Sequence, residues 1–184
     1  MPDAGRRAVF LDRDGTIVED PGFLHEPGKV RLFSGAGEAI HQLNQAGWLV
    51  ITVSNQSGIA RGLYDASAYS AVQRRLVELL AAHGARLDGA YLCPHHPDIT
   101  GPCECRKPGL RLFHEAQAAL GLDLARCYWV GDRLSDVEPA RQLGGCALLV
   151  ATGRSAAYAA QARALGVSVV ADLGAAAAEI VRGG

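Results

Sequence analysis

The hydrophobic and polar positions of this chain form two recurring patterns. Short apolar or β-branched runs that end at polar or glycine-containing turns are typical of buried strands. Longer stretches with apolar residues three and four positions apart predict helices that pack by one face. We predict strands at 9–11, 48–53, 89–92, 127–130, 147–150 and 167–170, and helices at 35–46, 66–82, 110–120, 134–143, 156–165 and 174–181.

Strands and helices alternate along the chain, and this order predicts repeated βαβ units with a mostly parallel sheet. We therefore expect an α/β protein with a Rossmann-like parallel sheet and helices on both of its faces. A chain of 184 residues favours a single domain, here residues 1–184. We find no insertion long enough for a separate cap domain, and the stretch 93–105 is a loop within the single domain.

Composition places the chain among globular proteins, because 49% of its residues are apolar and 20% are charged. The net charge of −1 gives no reason to expect binding to nucleic acid or to an anionic membrane surface. The sequence shows no signal peptide and no apolar run of membrane-spanning length. An odd number of cysteines, five, argues against a disulfide framework. We expect a cytoplasmic monomer whose partner is a small molecule.

Three of the predicted strands end in polar residues of related chemistry. Asp12 and Asp14 follow the first strand, Ser54 and Asn55 follow the second, and Asp132 follows the fourth. The carboxyl ends of parallel strands lie at one edge of the sheet, where open α/β proteins bind their ligands. Carboxylates this close together repel each other unless a cation compensates, and a hard ion such as Mg²⁺ prefers oxygen ligands.

Lys107, in an irregular loop before a helix, adds a positive charge to this edge. Each of these residues alone has an ordinary structural explanation as a turn residue, a surface lysine or a helix cap. Their joint occurrence at strand ends favours a different interpretation. Carboxylates, a hydroxyl, an amide and a lysine together suit a magnesium-bound phosphate.

Four short stretches resemble the four motifs of the haloacid dehalogenase (HAD) superfamily of phosphohydrolases. They are DRDGT at 12–16, SN at 54–55, KP at 107–108 and GDRLSD at 131–136. Longer strings at 22–25, 54–62 and 93–108 are similar to the D-glycero-D-manno-heptose-1,7-bisphosphate 7-phosphatase family, a relative of the histidinol-phosphate phosphatases. The resemblance implies a HAD fold without a separate cap domain and with a zinc-binding loop.

The resemblance also implies a role for each site residue. Asp12 would be the nucleophile that forms an aspartyl-phosphate, and Asp14 the general acid and then the base. Ser54 and Lys107 would hold the phosphoryl group. Catalytic Mg²⁺ would be held by Asp12, by Asp14 through its backbone carbonyl, and by Asp132. Residues expected to bind the substrate are Arg13, Asp20, Gly22, Phe23, Asn55, Gln56, Ser57, Arg106 and Arg133. Asp136 would support the metal through water or anchor its loop.

Cysteine and histidine residues are concentrated in the loop at 93–105. Three thiolates and one imidazole complete a tetrahedral zinc site and leave no position for a reacting water, so the ion would be structural. The alternative is a reduced, metal-free loop with buried thiols. The expected ligands are Cys93, His95, Cys103 and Cys105, because the family pattern favours His95 over the adjacent His96. The two other cysteines, Cys127 and Cys146, are expected to be buried in strands.

These observations predict a Mg²⁺-dependent phosphatase that removes the 7-phosphate of D-glycero-D-manno-heptose 1,7-bisphosphate through an aspartyl-phosphate. Its pathway would be ADP- or GDP-heptose formation for surface polysaccharide. The nearest enzyme alternative is histidinol-phosphate phosphatase, and the strings at 22–25 and 54–62 favour the heptose substrate. An alternative of another class is a phospho-accepting signalling or binding domain without turnover. Such a domain would carry its acceptor aspartate on a middle strand, whereas the third strand here is followed by Cys93.

Overall fold

The computed structural model describes residues 5–183. Its strands are β1 (Ala8–Leu11), β2 (Leu49–Asn55), β3 (Gly89–Cys93), β4 (Tyr128–Gly131), β5 (Cys146–Val150) and β6 (Ser168–Val170). Its α-helices are α1 (Ala36–Gln45), α2 (Ala66–Ala81), α3 (Pro97–Thr100), α4 (Arg111–Leu120), α5 (Leu134–Leu143), α6 (Ala159–Ala164) and α7 (Leu173–Gly183). Within residues 5–183, none of these helices has the length and hydrophobicity needed to cross a membrane.

The strands form one parallel sheet in the order β3-β2-β1-β4-β5-β6. The chain starts at β1 in the middle, builds outward to β3, and then returns to place β4 on the other side of β1. The strand order therefore reverses beside β1, and a crevice forms outside the carboxyl ends of β1 and β4. Such a reversal is where ligands bind in open α/β sheets.

Side chains of successive strand residues point to opposite faces of the sheet, and this alternation produces two hydrophobic layers. In β1, Val9 and Leu11 face one layer, whereas Ala8 and Phe10 face the other. Helices α1, α2 and α7 cover the first layer. Helices α4, α5 and α6 contribute to the packing on the second face. This arrangement confirms the predicted α/β class with helices on both faces.

Two local expectations were wrong. The stretch predicted to be an irregular loop contains the helical turn α3, which begins at Pro97, a residue well suited to the first position of a helix. Cys127 is buried, but Cys146 is exposed. The reason is that Cys146 is the first residue of β5, and burial increases along this strand toward Val150.

Candidate active site

The loop after β1 places its first carboxylate at the crevice. The Asp12 N–H donates to the Val130 carbonyl oxygen at 3.0 Å, which extends the pairing of β1 with β4 by one residue. Gly15 then turns the chain with a φ of +91°, a conformation that L side chains rarely adopt. A Cβ atom at Gly15 would lie 2.5 Å from Oδ2 of Asp132. The turn therefore packs directly against the carboxylate that follows β4.

Lys107 is buried at the centre of the site. Its Nζ donates to Oδ1 of Asp12 at 2.7 Å, to the Val53 carbonyl oxygen at 2.5 Å and to Oδ1 of Asp136 at 2.8 Å. Asn55 holds the lysine backbone, because it accepts from the Lys107 N–H and donates to the Lys107 carbonyl oxygen. Burial alone would lower the pKa of Lys107, but the charges of Asp12 and Asp136 outweigh it and raise the pKa. The lysine therefore stays positively charged next to Asp12.

Three carboxylates meet beside this lysine. One oxygen from each of Asp12, Asp132 and Asp136 lies within 4.8 Å of the others. Oδ2 of Asp132 accepts from the Arg154 N–H at 2.6 Å, whereas its Oδ1 is buried without a hydrogen-bond partner. Burial and the charge of Asp12 raise the pKa of Asp132 to about 7. Burial also raises the pKa of Asp12 to about 6, although Lys107 opposes this. Three carboxylates against one lysine leave an excess of negative charge that a divalent cation would balance.

The side chain of Asp14 is held by other groups. Arg13 donates from Nε to Oδ1 of Asp14 at 3.1 Å and from NH2 to Oδ2 at 2.9 Å. Gln56 donates to the same Oδ2 at 2.7 Å. Burial raises the pKa of Asp14, against the opposing effect of Arg13. The Asp14 carboxylate is thus separate from the three-carboxylate group, and a contribution to the metal through its backbone carbonyl stays a prediction.

Arg13 does not occupy the place predicted for it. It was expected to bind the substrate, but its side chain is 0% exposed and lies under the ring of Tyr69, 5.1 Å from the ring centroid. The expectation was wrong because the backbone turn directs this guanidinium into the protein, where it pairs with Asp14. Arg13 therefore acts on the carboxyl group and not on a ligand.

Ser54 and Gln56 connect Asp14 to the end of β2. Nε2 of Gln56 donates to Oγ of Ser54 at 2.6 Å, and the hydroxyl of Tyr64 donates to Oε1 of Gln56 at 2.5 Å. Because Oγ of Ser54 accepts this hydrogen bond, its own proton is available for a phosphate oxygen. The amide of Gln56 is therefore fixed between the hydroxyl and the carboxyl group.

A cavity of about 400 Å³ lies above these residues. It is lined by all four residues predicted to be catalytic and by eight of the nine predicted to bind the substrate, the exception being Arg13. The eight are Asp20, Gly22, Phe23, Asn55, Gln56, Ser57, Arg106 and Arg133. Other lining residues, which the sequence did not lead us to assign to substrate binding, are Arg61, Tyr64, His96, Ser135, Asp136 and Arg154.

The loops around the cavity contact one another through Arg61. Its guanidinium carbon lies 5.8 Å from the centroid of the Phe23 ring. Its NH2 group lies 2.8 Å from Nε2 of His96. These contacts join the loops that contain residues 19–27, 57–65 and 93–108. Arg61 lies within the string 54–62 that resembles the family. That resemblance is the sequence signal that could have identified Arg61 as a cavity residue.

The predicted zinc ligands lie together. Their ligand atoms are all within 4.8 Å of one another, and His96 is not among them. Sγ of Cys93 is 3.0 Å from Sγ of Cys105 and 3.7 Å from Sγ of Cys103, and Nδ1 of His95 is 3.2 Å from Sγ of Cys105. Tetrahedral bonds of about 2.3 Å to sulfur place two ligands roughly 3.8 Å apart. The separation of Cys93 and Cys103 matches this value, whereas the two distances to Cys105 are shorter. Three sulfurs and one nitrogen are a donor set that suits Zn²⁺ and leaves no open position.

Comparison with known proteins decides the family. A family model described as HAD-hydrolase-like matches residues 104–176. The D-glycero-beta-D-manno-heptose-1,7-bisphosphate 7-phosphatase of Photorhabdus laumondii is 40% identical, over 92% of this chain and 94% of the relative. The chain belongs to this family of HAD phosphatases. The family member of Yersinia pestis is 39% identical over 80% of this chain and 81% of its own length.

Solved structures of the heptose-bisphosphate phosphatase family have the same fold. The D,D-heptose 1,7-bisphosphate phosphatase of B. bronchiseptica, in complex with magnesium and phosphate, has a TM-score of 0.88 and 35% identity over 97% of this chain and 99% of that one. The enzyme of Burkholderia thailandensis has a TM-score of 0.72 and 30% identity over 96% of this chain and 99% of that one. The predicted HAD fold and family are thus confirmed, and a magnesium-dependent phosphoric monoester hydrolase is supported.

Proposed function

We propose that this protein hydrolyses the 7-phosphate of D-glycero-D-manno-heptose 1,7-bisphosphate, with Mg²⁺ as its cofactor. The observation that carries the proposal is the position of Asp12. It lies at the reversal of the sheet, bonded to Lys107 and beside Asp132, in a chain that is 40% identical to a phosphatase of this name. The names of the relatives specify the β anomer, and we extend the proposal to that anomer.

The residues present fit magnesium. Oδ1 of Asp132 is buried without a partner, and hard cations of this kind take carboxylate oxygens. Asp12, Asp132 and the backbone carbonyl of Asp14 would hold the ion, whereas both oxygens of Asp136 already accept, from Lys107 and from the Arg133 N–H. Bound there, Mg²⁺ would offset the charge of the phosphoryl oxygens.

The first chemical step begins at Asp12. The oxygen of Asp12 that Lys107 does not bind attacks phosphorus, and the bond between phosphorus and the sugar oxygen breaks. Asp14 gives its proton to the departing alkoxide, and its raised pKa favours the protonated form that this role requires. Lys107 and Ser54 donate to the phosphoryl oxygens, where the charge of the transition state is spread.

The second step releases the phosphate. Water attacks phosphorus of the aspartyl-phosphate, Asp14 accepts the proton of that water, and the bond from phosphorus to Asp12 breaks. Inorganic phosphate leaves, and both carboxyl groups return to their starting states. Arg13 and Gln56 hold Asp14 at the same place in both steps.

The cations around the cavity support a bisphosphate as substrate. Arg106 and Arg133 line the cavity together with the polar ends of β1 and β2. Arg106 also donates to the His95 carbonyl oxygen at 3.3 Å, so its position depends on the cysteine loop. We assign a structural zinc ion to that loop, held by Cys93, His95, Cys103 and Cys105.

The wider setting is also part of the proposal. We place the enzyme in the cytoplasm, because the five cysteines, all within residues 5–183, form no disulfide and thiolate ligands persist in a reducing compartment. Its role would be ADP- or GDP-heptose formation for surface polysaccharide, as the resemblance implies. We propose that it binds neither nucleic acid nor an anionic membrane surface, because its net charge of −1 is nearly balanced. The monomeric state stays a prediction.

Substrate turnover tests the proposal. We expect the purified protein with Mg²⁺ to show its highest kcat/KM on the β anomer of the heptose bisphosphate, a lower value on the α anomer, and the lowest on histidinol phosphate. A preference for histidinol phosphate would overturn the assignment of substrate. Formation of a stable phospho-protein without multiple turnover would instead indicate a phospho-accepting domain.

A further inference from the structure

The segment that follows β5, residues 151–155, lies against the proposed metal site. Oγ1 of Thr152 donates to the Gly15 carbonyl oxygen at 2.7 Å. Two residues later, the Arg154 N–H donates to Oδ2 of Asp132 at 2.6 Å. One short segment therefore contacts both the turn after β1 and the carboxylate after β4.

The residue between these two contacts has no room for a side chain. Gly153 has a φ of +54°. A Cβ atom at Gly153 would lie 2.3 Å from Oδ2 of Asp132 and 2.7 Å from Cα of Gly15. Separations under 3.0 Å are essentially never found for a real Cβ atom, so something would have to shift. The close approach of the segment to Asp132 therefore requires glycine at this position.

This contact occupies one oxygen of Asp132 and leaves the other without a partner. Among the hydrogen bonds of residues 5–183, the side chain of Asp132 has the Arg154 N–H as its partner, through Oδ2. The other oxygen, Oδ1, is buried and unpartnered, and the residue as a whole is 0% exposed. If the contact were lost, the carboxylate could rotate, and Oδ1 would lose the orientation that leaves it unpartnered next to the other carboxylates.

We propose that Thr152, Gly153 and the backbone of Arg154 form a positioning segment that holds Asp132 for Mg²⁺. The inference rests on the proposed function, because it concerns the same metal site. Thr152 and Gly153 are positioning residues: they act through Gly15 and Asp132 and do not touch the reacting atoms. Groups that orient metal ligands typically change metal affinity by about 10- to 100-fold when they are altered.

Metal binding by the full-length protein, without substrate, tests the proposal. Mn²⁺ binding is measured by electron paramagnetic resonance, and Mg²⁺ affinity by competition. We expect Gly153→Ala and Thr152→Val to weaken the affinity for both ions by about 10- to 100-fold. Thr152→Ser keeps the hydroxyl and should bind within about threefold of the wild type, because the donor to Gly15 is retained.

Gly166→Ala is the matched control for backbone strain. Gly166 has a φ of +77°, and a Cβ atom there meets nothing within 4 Å. This variant carries the same type of strain as Gly153→Ala but makes no contact with Asp132, so its metal affinity should equal that of the wild type. Activity provides a second readout: kcat of Thr152→Val should recover at saturating Mg²⁺. Circular dichroism without the ion checks that this variant is folded before Mg²⁺ is added, because the ion would also stabilise a loosened fold.

The possible outcomes distinguish a wrong metal site from a wrong positioning role. If the wild type binds neither ion, the metal site is wrong and this inference fails with it. If the wild type binds both ions and the Gly153 and Thr152 variants bind them equally well, the positioning role is wrong, whereas the proposed function stands. If circular dichroism shows that Gly153→Ala does not fold, the comparison of Thr152→Val with Thr152→Ser decides.

Discussion

The two oxygens of Asp12 have different roles, since Lys107 binds one and the other is available for phosphorus. Asp12→Asn keeps the size of the side chain but replaces the attacking oxyanion with a neutral amide. We expect turnover to fall to the level of the assay blank while the circular dichroism spectrum stays unchanged. Glu78→Gln, on the exposed surface of α2, is the control and should keep full activity. Measurable steady-state turnover by Asp12→Asn would contradict its role as nucleophile.

Arg13 offers a test of how the acid is positioned. Its guanidinium makes two parallel hydrogen bonds to Asp14, a geometry that lysine cannot reproduce. We expect Arg13→Lys to lower turnover of the heptose bisphosphate by up to roughly 10²-fold, the lower end of what a positioned acid contributes. Turnover of p-nitrophenyl phosphate should fall less, because its leaving group needs little protonation.

The control for this prediction is Arg75→Lys, since Arg75 lies on the exposed face of α2 and contacts Glu78. An equal loss on both substrates would show that Arg13 does not act through protonation of the leaving group. A loss confined to KM would show that it binds the substrate after all.

The sequence predicted which residue types meet at the site, but not which way each side chain points. Asp12 and Ser54 follow from their places at strand ends, and Lys107 from its place in the loop before a helix. The direction of Arg13 depends on the turn at Gly15 and on the ring of Tyr69, which is distant in sequence. The contact of Asp136 with Lys107 likewise requires two elements to pack, so periodicity could not predict it.

At the scale of elements, strands were predicted well because each is a short apolar run between turns. Helix ends were predicted less well. The helix expected at 156–165 is divided into a 3₁₀ turn, Ser155–Ala157, and α6, since Tyr158 between them has a φ of −117°. Local hydrogen bonds decide such details, for example from the Tyr158 N–H to the Ser155 carbonyl oxygen, and hydrophobic spacing does not report on them.

The cysteine loop is the element whose removal is simplest to test. Cys103→Ser should reduce zinc from about one ion per chain to none by elemental analysis, because four ligands complete the site. We expect Tm to fall by more than about 4 °C, since 1 kcal/mol corresponds to about 2–4 °C in a domain of this size. KM for the bisphosphate should rise more than KM for p-nitrophenyl phosphate, because the loop positions Arg106.

Cys146→Ser is the matched control, because Cys146 is exposed at the start of β5 and lies outside the cluster. It should keep its zinc, its Tm and its kinetics. A Cys103→Ser protein that loses zinc without any change in Tm or in KM for the bisphosphate would contradict the structural role of the ion.

At the scale of the whole molecule, the parallel sheet brings distant parts of the chain to one edge. Asp12 follows β1, Asp132 follows β4 and Asp136 lies in α5, yet their oxygens lie within 4.8 Å of one another. Alternating strands and helices predicted that edge, because parallel strands end on the same side. They did not predict the contact of Thr152 and Arg154 with the site, which depends on β5 lying beside β4.

Because these carboxyl groups lie close together and are buried, their protonation affects both metal binding and the stability of the fold. Burial and the charge of Asp12 raise the pKa of Asp132 from 3.8 to about 7, and burial raises that of Asp12 to about 6 against the effect of Lys107. Between the ordinary and the raised values, these carboxyl groups bind more protons in the native state than in the unfolded state. Their contribution to stability in metal-free protein is therefore lost as the pH rises through that window.

Mg²⁺ binds the deprotonated carboxylates, so the ion should stabilise the fold most where these groups have lost their protons. We expect a fixed concentration of Mg²⁺ to raise Tm more at about pH 8 than at about pH 5.5. Below the pKa of a ligand carboxyl group, each proton that Mg²⁺ must displace should weaken the apparent Mg²⁺ affinity by about tenfold per pH unit. Differential scanning fluorimetry and isothermal titration calorimetry measure the two effects. Asp132→Asn removes the carboxyl group whose pKa is raised to about 7, and its Tm should respond little to Mg²⁺ at either pH. A Tm increase in the wild type that is equal at both pH values, or larger in acid, would show that these carboxylates do not hold the ion.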